Sequence, residues 1–153
     1  MEPRCFQLTM DSNVEDMVVG SAMVRGLLDQ LHVRHQDADM VELCLMEALV
    51  NAVRHAYRDE SGQEVQLRVE LGSSSISFEV VDSGLSTTRE ALGKAVDKAL
   101  RFDPRNLDTL LEGGRGMLII AQGMDEWDYF RRGESNVLRM RKSFGSDYKA
   151  PGS

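Results

Sequence analysis

One segment of the sequence is apolar on almost every side, and it must lie at the centre of whatever fold this chain adopts. Across residues 37–57 the apolar side chains are too dense to leave a wide polar face: Met40, Val41, Leu43, Leu45, Met46, Leu49, Val50 and Val53. A helix with this pattern is buried among other elements. Asp37 is expected to cap it, and Glu47, Asn51 and His55 are polar exceptions within it.

The remaining apolar residues predict strands that come in hairpins. Residues 65–71 alternate apolar and polar, as do residues 76–80, and Gly72-Ser73-Ser74-Ser75 separates the two runs. This is the pattern of a β-hairpin. A second hairpin is predicted near the end of the chain, from about 125–131 and 135–142.

Two elements are predicted ahead of the central helix. Phe6, Leu8 and Met10 alternate with polar residues and indicate a strand near 4–10. Ser12 followed by Glu15 is a capping-box pattern, which predicts the start of a helix over about 13–31.

The stretch 85–113 is polar and indicates an excursion from the core. It has one helical piece near 89–101, a break at Pro104 and a short apolar piece near 107–111. A short apolar helix then ends at Gly123. Because strands pair in hairpins and do not alternate with helices, we expect an α+β fold. Its architecture is a two-layer α/β sandwich, with helices on one face of a mixed, mostly antiparallel sheet.

Length and charge limit the class of protein. A chain of 153 residues makes one domain, and a net charge of −7 argues against direct binding of nucleic acid. A local basic cluster is predicted to be the solvated face of a hairpin, with contact to an acidic partner as the alternative: Arg131, Arg132, Arg139, Arg141 and Lys142.

The two cysteines and the hydropathy also exclude some classes. Cys5 and Cys44 are far apart and belong to no CxxC or Cys/His pair, so we expect neither a zinc site nor a disulfide, with Cys44 in the core. No apolar run approaches 18 residues. We therefore expect a cytoplasmic protein without a membrane segment.

Glu47 and Asn51 lie four residues apart and thus share one face of the predicted central helix. A carboxylate on an apolar face is costly unless it is paired, hydrogen-bonded or used. An amide oxygen such as that of Asn51 suits Mg²⁺, and Glu47 is placed to accept a proton from a hydroxyl. The alternative is that both side chains only bond nearby backbone.

Two glycine-containing turns are the other candidate sites. Asp82 ends an apolar strand and is followed by Ser83-Gly84, so its carboxylate is placed to accept the exocyclic amine of adenine while Gly84 allows close approach. Gly113-Gly114-Arg115-Gly116 opens a helix, where backbone amides attract phosphate. Taken singly, these are also the compositions of an ordinary turn and a hinge.

The order of these segments is more specific than any one of them. It resembles the Bergerat-fold ATPases, the superfamily of gyrase B and the sensor histidine kinases, in which the segments are the N box, the G1 box, the ATP lid and the G2 box. Within it the sequence is most similar to the anti-sigma-factor serine kinases of bacterial partner-switching systems. Residues 47–57 resemble their N box, and residues 113–117 with 124–126 resemble their G2 segment and the next strand. The resemblance covers about residues 5 to 142.

The resemblance implies cofactors, ATP and Mg²⁺, and roles for the predicted residues. Asp82 and Gly84 bind adenine, and Asn51 holds the metal against the triphosphate. The usual G1 box is Asp-x-Gly-x-Gly, and Ser86 stands where the second Gly belongs. If that turn requires a positive φ, serine costs about 1 kcal/mol there. We expect this change to affect turnover more than ATP binding.

The resemblance also implies how phosphoryl transfer would proceed. Gly114 and Gly116 let backbone amides meet the phosphates, Arg115 contacts the γ-phosphate or the partner, and Glu47 activates a serine hydroxyl. The partner that the resemblance implies is an anti-anti-sigma factor of the STAS type, with a sigma factor as a further partner. His55 is expected to pack or bond backbone and not to be catalytic.

The resemblance sets the boundaries and leaves alternatives. Residues 1–144 form the ATPase domain with a lid at about 85–113, and residues 145–153 form a flexible tail. A homodimer through the first strand and helix is implied. A nucleotide-dependent binding protein without kinase activity is the alternative. A domain serving a histidine phosphorelay is disfavoured, because only His32 and His35 precede the N box and both fall at a helix end.

Overall fold

A computed structural model describes residues 2–101 and 114–145. The predicted apolar piece near 107–111, Gly113 and the predicted tail beyond Gly145 lie outside these residues. The elements, in chain order, are β1 (Arg4–Asp11), α1 (Val14–Gln30), α2 (His35–Asn51), a π-helical turn (Ala52–Ala56), β2 (Glu64–Leu71), β3 (Ser75–Asp82), α3 (Arg89–Leu100), α4 (Gly114–Gly123), β4 (Glu126–Arg132) and β5 (Ser135–Ser143).

The strands form one sheet in the order β1-β2-β3-β5-β4. Every pair of neighbours is antiparallel, so the expected mixed character is not found among the described strands. The α+β architecture is confirmed. β3 lies at the centre of the sheet, so that Asp82 at its end has β5 on one side.

The helices cover one face of the sheet, and the core lies between the two layers. The side chains of β2 alternate, with Val65, Leu67, Val69 and Leu71 buried against the helices. Packing of α2 against both α1 and α4 makes it the central helix, as predicted. Cys44 is buried in it, and the large apolar side chains of α2 that are exposed are Met40 and Leu43.

Both predicted helix caps were wrong. Asn13 caps α1, since its side chain accepts a hydrogen bond of 2.8 Å from the Asp16 amide. The Ser12 hydroxyl is used elsewhere and donates to the Glu60 carbonyl oxygen at 2.6 Å. α2 begins at His35, two residues before Asp37. Asp37 instead pairs with the Arg34 guanidinium, 2.9 Å away.

The predicted basic hairpin is a charged sheet face with its own counter-ion. Glu79 on β3 lies 2.9 Å from Arg132 and 2.7 Å from Arg139. These two guanidinium groups lower the pKa of Glu79 to about 2, against a smaller opposing effect of burial. They also lie on the Phe130 ring. Most charges of the basic cluster are thus paired with carboxylates of the β4–β5 hairpin or of the neighbouring strand β3.

Within the part of the chain that the structure describes, no helix is both long and apolar enough to cross a membrane.

Candidate nucleotide-binding site

A cavity of about 670 Å³ opens between the sheet and the helices. It lies where the end of α2, the end of β3, α3 and the start of α4 meet. Its walls are largely apolar and include Leu92, Leu118 and Leu138, with a few polar groups placed among them. Such a cavity suits a flat aromatic group held by few hydrogen bonds. The predicted site residues that line it are Asn51, Asp82, Gly114 and Arg115.

Asp82 is held in one orientation at the base of this cavity. It is 9% exposed, and its Oδ1 atom accepts hydrogen bonds from the Asn136 side chain at 2.8 Å and the Gly84 amide at 3.0 Å. Burial raises the pKa of Asp82, although those two hydrogen bonds oppose the shift. The described residues provide no hydrogen bond to Oδ2, which leaves that oxygen available to a ligand in the cavity.

Gly84 has a packing role in addition to the predicted one. A Cβ atom there would lie 2.6 Å from the carbonyl carbon of Ala56 and closer still to its oxygen. Ala56 ends the π-helical turn that replaces the predicted last turn of the central helix. Its carbonyl oxygen accepts a hydrogen bond of 2.9 Å from Leu85. The glycine therefore lets the loop after β3 close against the end of the N-box helix.

Ser86 does not introduce the strain that its side chain would cause in a left-handed turn. Among the described residues the non-glycine residues with positive φ are His32, Arg58 and Asp59. The Ser86 hydroxyl accepts a hydrogen bond from the Arg131 guanidinium. The departure from the usual G1 box is thus accommodated by an arginine on β4.

The glycines that open α4 also serve close packing. A Cβ on Gly116 would lie 2.7 Å from Glu47 Oε2 and 3.5 Å from both amide atoms of Asn51. A Cβ on Gly114 would lie 2.8 Å from the Ala95 carbonyl oxygen on α3. The start of α4 therefore lies directly against Glu47 and Asn51, and the structure brings together the predicted N-box and G2 residues.

Of three further residues considered in the sequence, two line the cavity and Glu47 does not. Arg115 is exposed on the first turn of α4 and lines the cavity. His55, expected to pack or bond backbone, is exposed and also lines the cavity. Glu47 is half-buried and lies against Gly116, behind the cavity lining.

Sequence reasoning missed Asn136, Tyr129 and Lys98. Tyr129 and Lys98 line the cavity, and the Tyr129 hydroxyl accepts a hydrogen bond of 3.1 Å from the Thr87 amide. Asn136 had a detectable signal, because it takes an inward position of β5 that otherwise alternates with Leu138 and Met140. A polar residue at such a position needs a buried partner.

A comparison with family models identifies the class of protein. Residues 11–142 match the histidine kinase-like ATPase domain. The chain belongs to that family, as the order of its motifs predicted, and the match covers both the cavity and the hairpins around it.

Curated relatives are more specific. The chain is 25% identical over 139 residues to the serine-protein kinase RsbW of Staphylococcus epidermidis, covering 86% of this chain and 81% of the relative. It is 27% identical over 146 residues to the RsbW of Halalkalibacterium halodurans, covering 95% and 87%. These are kinases of the kind that the resemblance predicted.

Among solved structures, the fold is similar to that of a chain in the SiaB–SiaC complex from Pseudomonas aeruginosa. The TM-score is 0.56 at 14% identity, with 91% of this chain and 88% of that chain covered. At this identity the likeness supports the fold.

Proposed function

We propose that this protein is an ATP-dependent protein serine kinase of a partner-switching system. It phosphorylates an anti-anti-sigma partner of the STAS type and sequesters a sigma factor or a similar regulator. The observation that supports this most is the contact between Gly116 and Glu47. A carboxylate and an amide, Glu47 and Asn51, lie against the first turn of the helix whose amides would bind phosphate.

The nucleotide would bind with its base at Asp82 and its phosphates toward α4. The free Oδ2 of Asp82 would accept a hydrogen bond from the exocyclic amine of adenine, and the apolar walls of the cavity would pack on the adenine ring. Asn51 would supply an oxygen ligand to Mg²⁺, and the ion would neutralise charge on the phosphates. Among the described residues no three His, Cys, Asp or Glu side chains form a metal cluster, and one amide ligand fits a metal that arrives with ATP.

The transfer itself would need a base and a cation near the γ-phosphate. Glu47 would accept the proton of the partner's serine hydroxyl as the serine oxygen bonds to the γ-phosphorus of ATP, while the bond from that phosphorus to the bridging oxygen breaks and ADP leaves. Arg115, exposed beside the phosphate position, neutralises charge on the transferred group. Residues 85–113 act as the lid over the nucleotide.

A homodimer through α1 and β1 is part of this proposal. The outward face of α1 carries four exposed apolar residues, Val14, Val18, Val19 and Met23, and Phe6 on β1 is 46% exposed. Exposed apolar residues grouped in this way favour a protein contact. We place the protein in the cytoplasm, where ATP is present and the free thiols of Cys5 and Cys44 stay reduced.

The test is transfer of phosphate from ATP to purified STAS-domain proteins encoded in the same genome, with phosphoserine measured by mass spectrometry. Glu47→Gln should lower the rate by about 100-fold or more, as loss of a general base does, while ADP affinity stays within about threefold. Glu42→Gln on the same helix, where Glu42 pairs with Arg25 at 3.0 Å, is the matched control. Unchanged transfer in Glu47→Gln would contradict the proposed role of Glu47.

A nucleotide-dependent binding protein without kinase activity is the second candidate. The position of Glu47 behind the cavity lining favours it, since a base must reach the attacking hydroxyl. This candidate predicts ATP-dependent association with a STAS protein and no phosphoserine after prolonged incubation. Phosphorylated partner would exclude it.

A further inference from the structure

Asn136 joins three parts of the candidate site through one side chain. Its amide nitrogen donates to Asp82 Oδ1 at 2.8 Å and to the carbonyl oxygens of Gly84 at 3.1 Å and Leu85 at 3.3 Å. Its amide oxygen accepts from the Arg131 guanidinium at 3.2 Å. With three acceptors around the nitrogen and a cation at the oxygen, only one orientation of the amide satisfies all four groups.

The position of Asn136 gives these bonds weight. It is 1% exposed and lies directly across from Asp82 in the pairing of β3 with β5. Buried polar groups that are fully satisfied rigidify their surroundings, and removal of one partner leaves the others unpaired. The same Arg131 that binds Asn136 also donates to Ser86. A continuous chain of hydrogen bonds therefore runs from Ser86 through Arg131 and Asn136 to Asp82.

We propose that Asn136 is a positioning residue that sets the preference for adenine. It occupies Oδ1 of Asp82, so that Oδ2 alone faces the base, and it fixes the loop that follows. Arg131 anchors the Asn136 amide and ties Ser86 to it. This inference rests on the proposed function, because it assigns the source of base selectivity in that same cavity.

A positioning role differs from a merely structural one in its effect on selectivity. If Asn136 only stabilised the fold, its loss would weaken the binding of every nucleotide equally. If Asn136 orients the Asp82 carboxylate, its loss should weaken the binding of nucleotides with a 6-amino group and leave the binding of those without one unchanged. The measurement is the ratio of the dissociation constants for purine riboside diphosphate, which lacks that amine, and ADP, obtained by calorimetry on the full chain.

The wild-type ratio is expected to favour ADP by at least about tenfold, as for one hydrogen bond to a charged group. Asn136→Leu removes all four bonds, and Asn136→Asp sets a second carboxylate against Asp82, so both should bring the ratio to within about threefold of one. Arg131→Met, at an exposed position on β4, should fold and lower the ratio partway.

Val137→Ala is the matched control. Val137 is the next residue on β5, is fully buried and faces away from Asp82. It should lower the midpoint of thermal unfolding and keep the wild-type ratio. A wild-type ratio in Arg131→Met and in any Asn136 variant that folds would overturn the inference alone. A wild-type protein that binds neither nucleotide would contradict the proposed function as well.

Discussion

The backbone of Ala56 occupies the space in which a Cβ atom on Gly84 would have to lie. The carbonyl carbon of Ala56 is 2.6 Å from that point, and its oxygen is closer. Both atoms belong to the main chain, and the same carbonyl oxygen accepts a hydrogen bond from the Leu85 amide. Neither atom can move without breaking this hydrogen bond, which connects the π-helical turn to the loop after β3.

Gly84→Ala should therefore lower the free energy of unfolding by about 1–3 kcal/mol, the range for an overpacked site, and weaken ADP binding because Asp82 loses its bond to the Gly84 amide. Gly26→Ala is the control. Gly26 lies on α1 with no atom within 4 Å of the added methyl, so it should stabilise by about 0.5–1 kcal/mol. Urea denaturation of both variants checks this, and equal stability of the two would contradict the contact.

The raised pKa of Asp82 leads to a second prediction. The folded state binds this proton more tightly than the unfolded chain does. The contribution of the Asp82 carboxyl to the free energy of unfolding is therefore fully present below the unfolded-state pKa, and it is lost as pH rises through the folded-state pKa. Above the folded-state pKa the buried carboxylate is ionised and destabilising. Asp82→Asn should then raise the midpoint of thermal unfolding at pH values above that pKa, and the gain should shrink as pH falls through it.

Asp82→Asn should also bind ADP more weakly. The amide nitrogen that replaces Oδ2 presents N–H groups to the exocyclic amine of adenine, which is itself a donor, so ADP affinity should fall by at least about tenfold. Thermal unfolding from pH 4 to 8, with and without ADP, measures both effects. A variant that is less stable than wild type by the same amount at every pH would show that burial does not dominate at Asp82.

The local parts of this fold were predictable from the sequence because they depend on neighbours. Alternation fixed β2 and β3, and the density of apolar residues placed α2 at the centre. The spacing of Glu47 and Asn51 set them on one helix face. Capping was harder, since Ser12 and Asn13 are both suitable caps and only the bond from Ser12 to Glu60 decides between them.

The parts of the site that could not be predicted depend on contacts between distant segments. The bond between Asn136 and Asp82 joins residues 54 positions apart and requires the register of β3 against β5. Ser86 is unfavourable when it is considered only as a turn residue. Its hydroxyl accepts a hydrogen bond from Arg131, which is 45 positions away in the sequence. Gly84 was expected to let the base approach and Gly116 to let amides meet the phosphates. The sequence did not show that, at both positions, neighbouring atoms occupy the place of a side chain.

The contact between Gly116 and Glu47 gives the sharpest test of catalysis. A Cβ on Gly116 would lie 2.7 Å from Oε2 of Glu47, the end of a flexible side chain, while the Asn51 amide atoms lie at 3.5 Å. Gly116→Ala should therefore fold and displace the Glu47 carboxylate. Transfer to a STAS partner should fall by about tenfold or more, and ADP affinity should change much less.

Displacement of Glu47 makes a specific prediction for the double variant. Once Glu47→Gln has removed the base, Gly116→Ala has little left to disturb, so the double variant should transfer phosphate about as slowly as Glu47→Gln alone. Gly114→Ala is the control, because its added methyl meets the Ala95 carbonyl oxygen on α3 and not Glu47. Its effect should add to that of Glu47→Gln. Rates from all six proteins, wild type included, complete the two cycles, and additive losses for Gly116→Ala and Glu47→Gln would show that the two residues act independently.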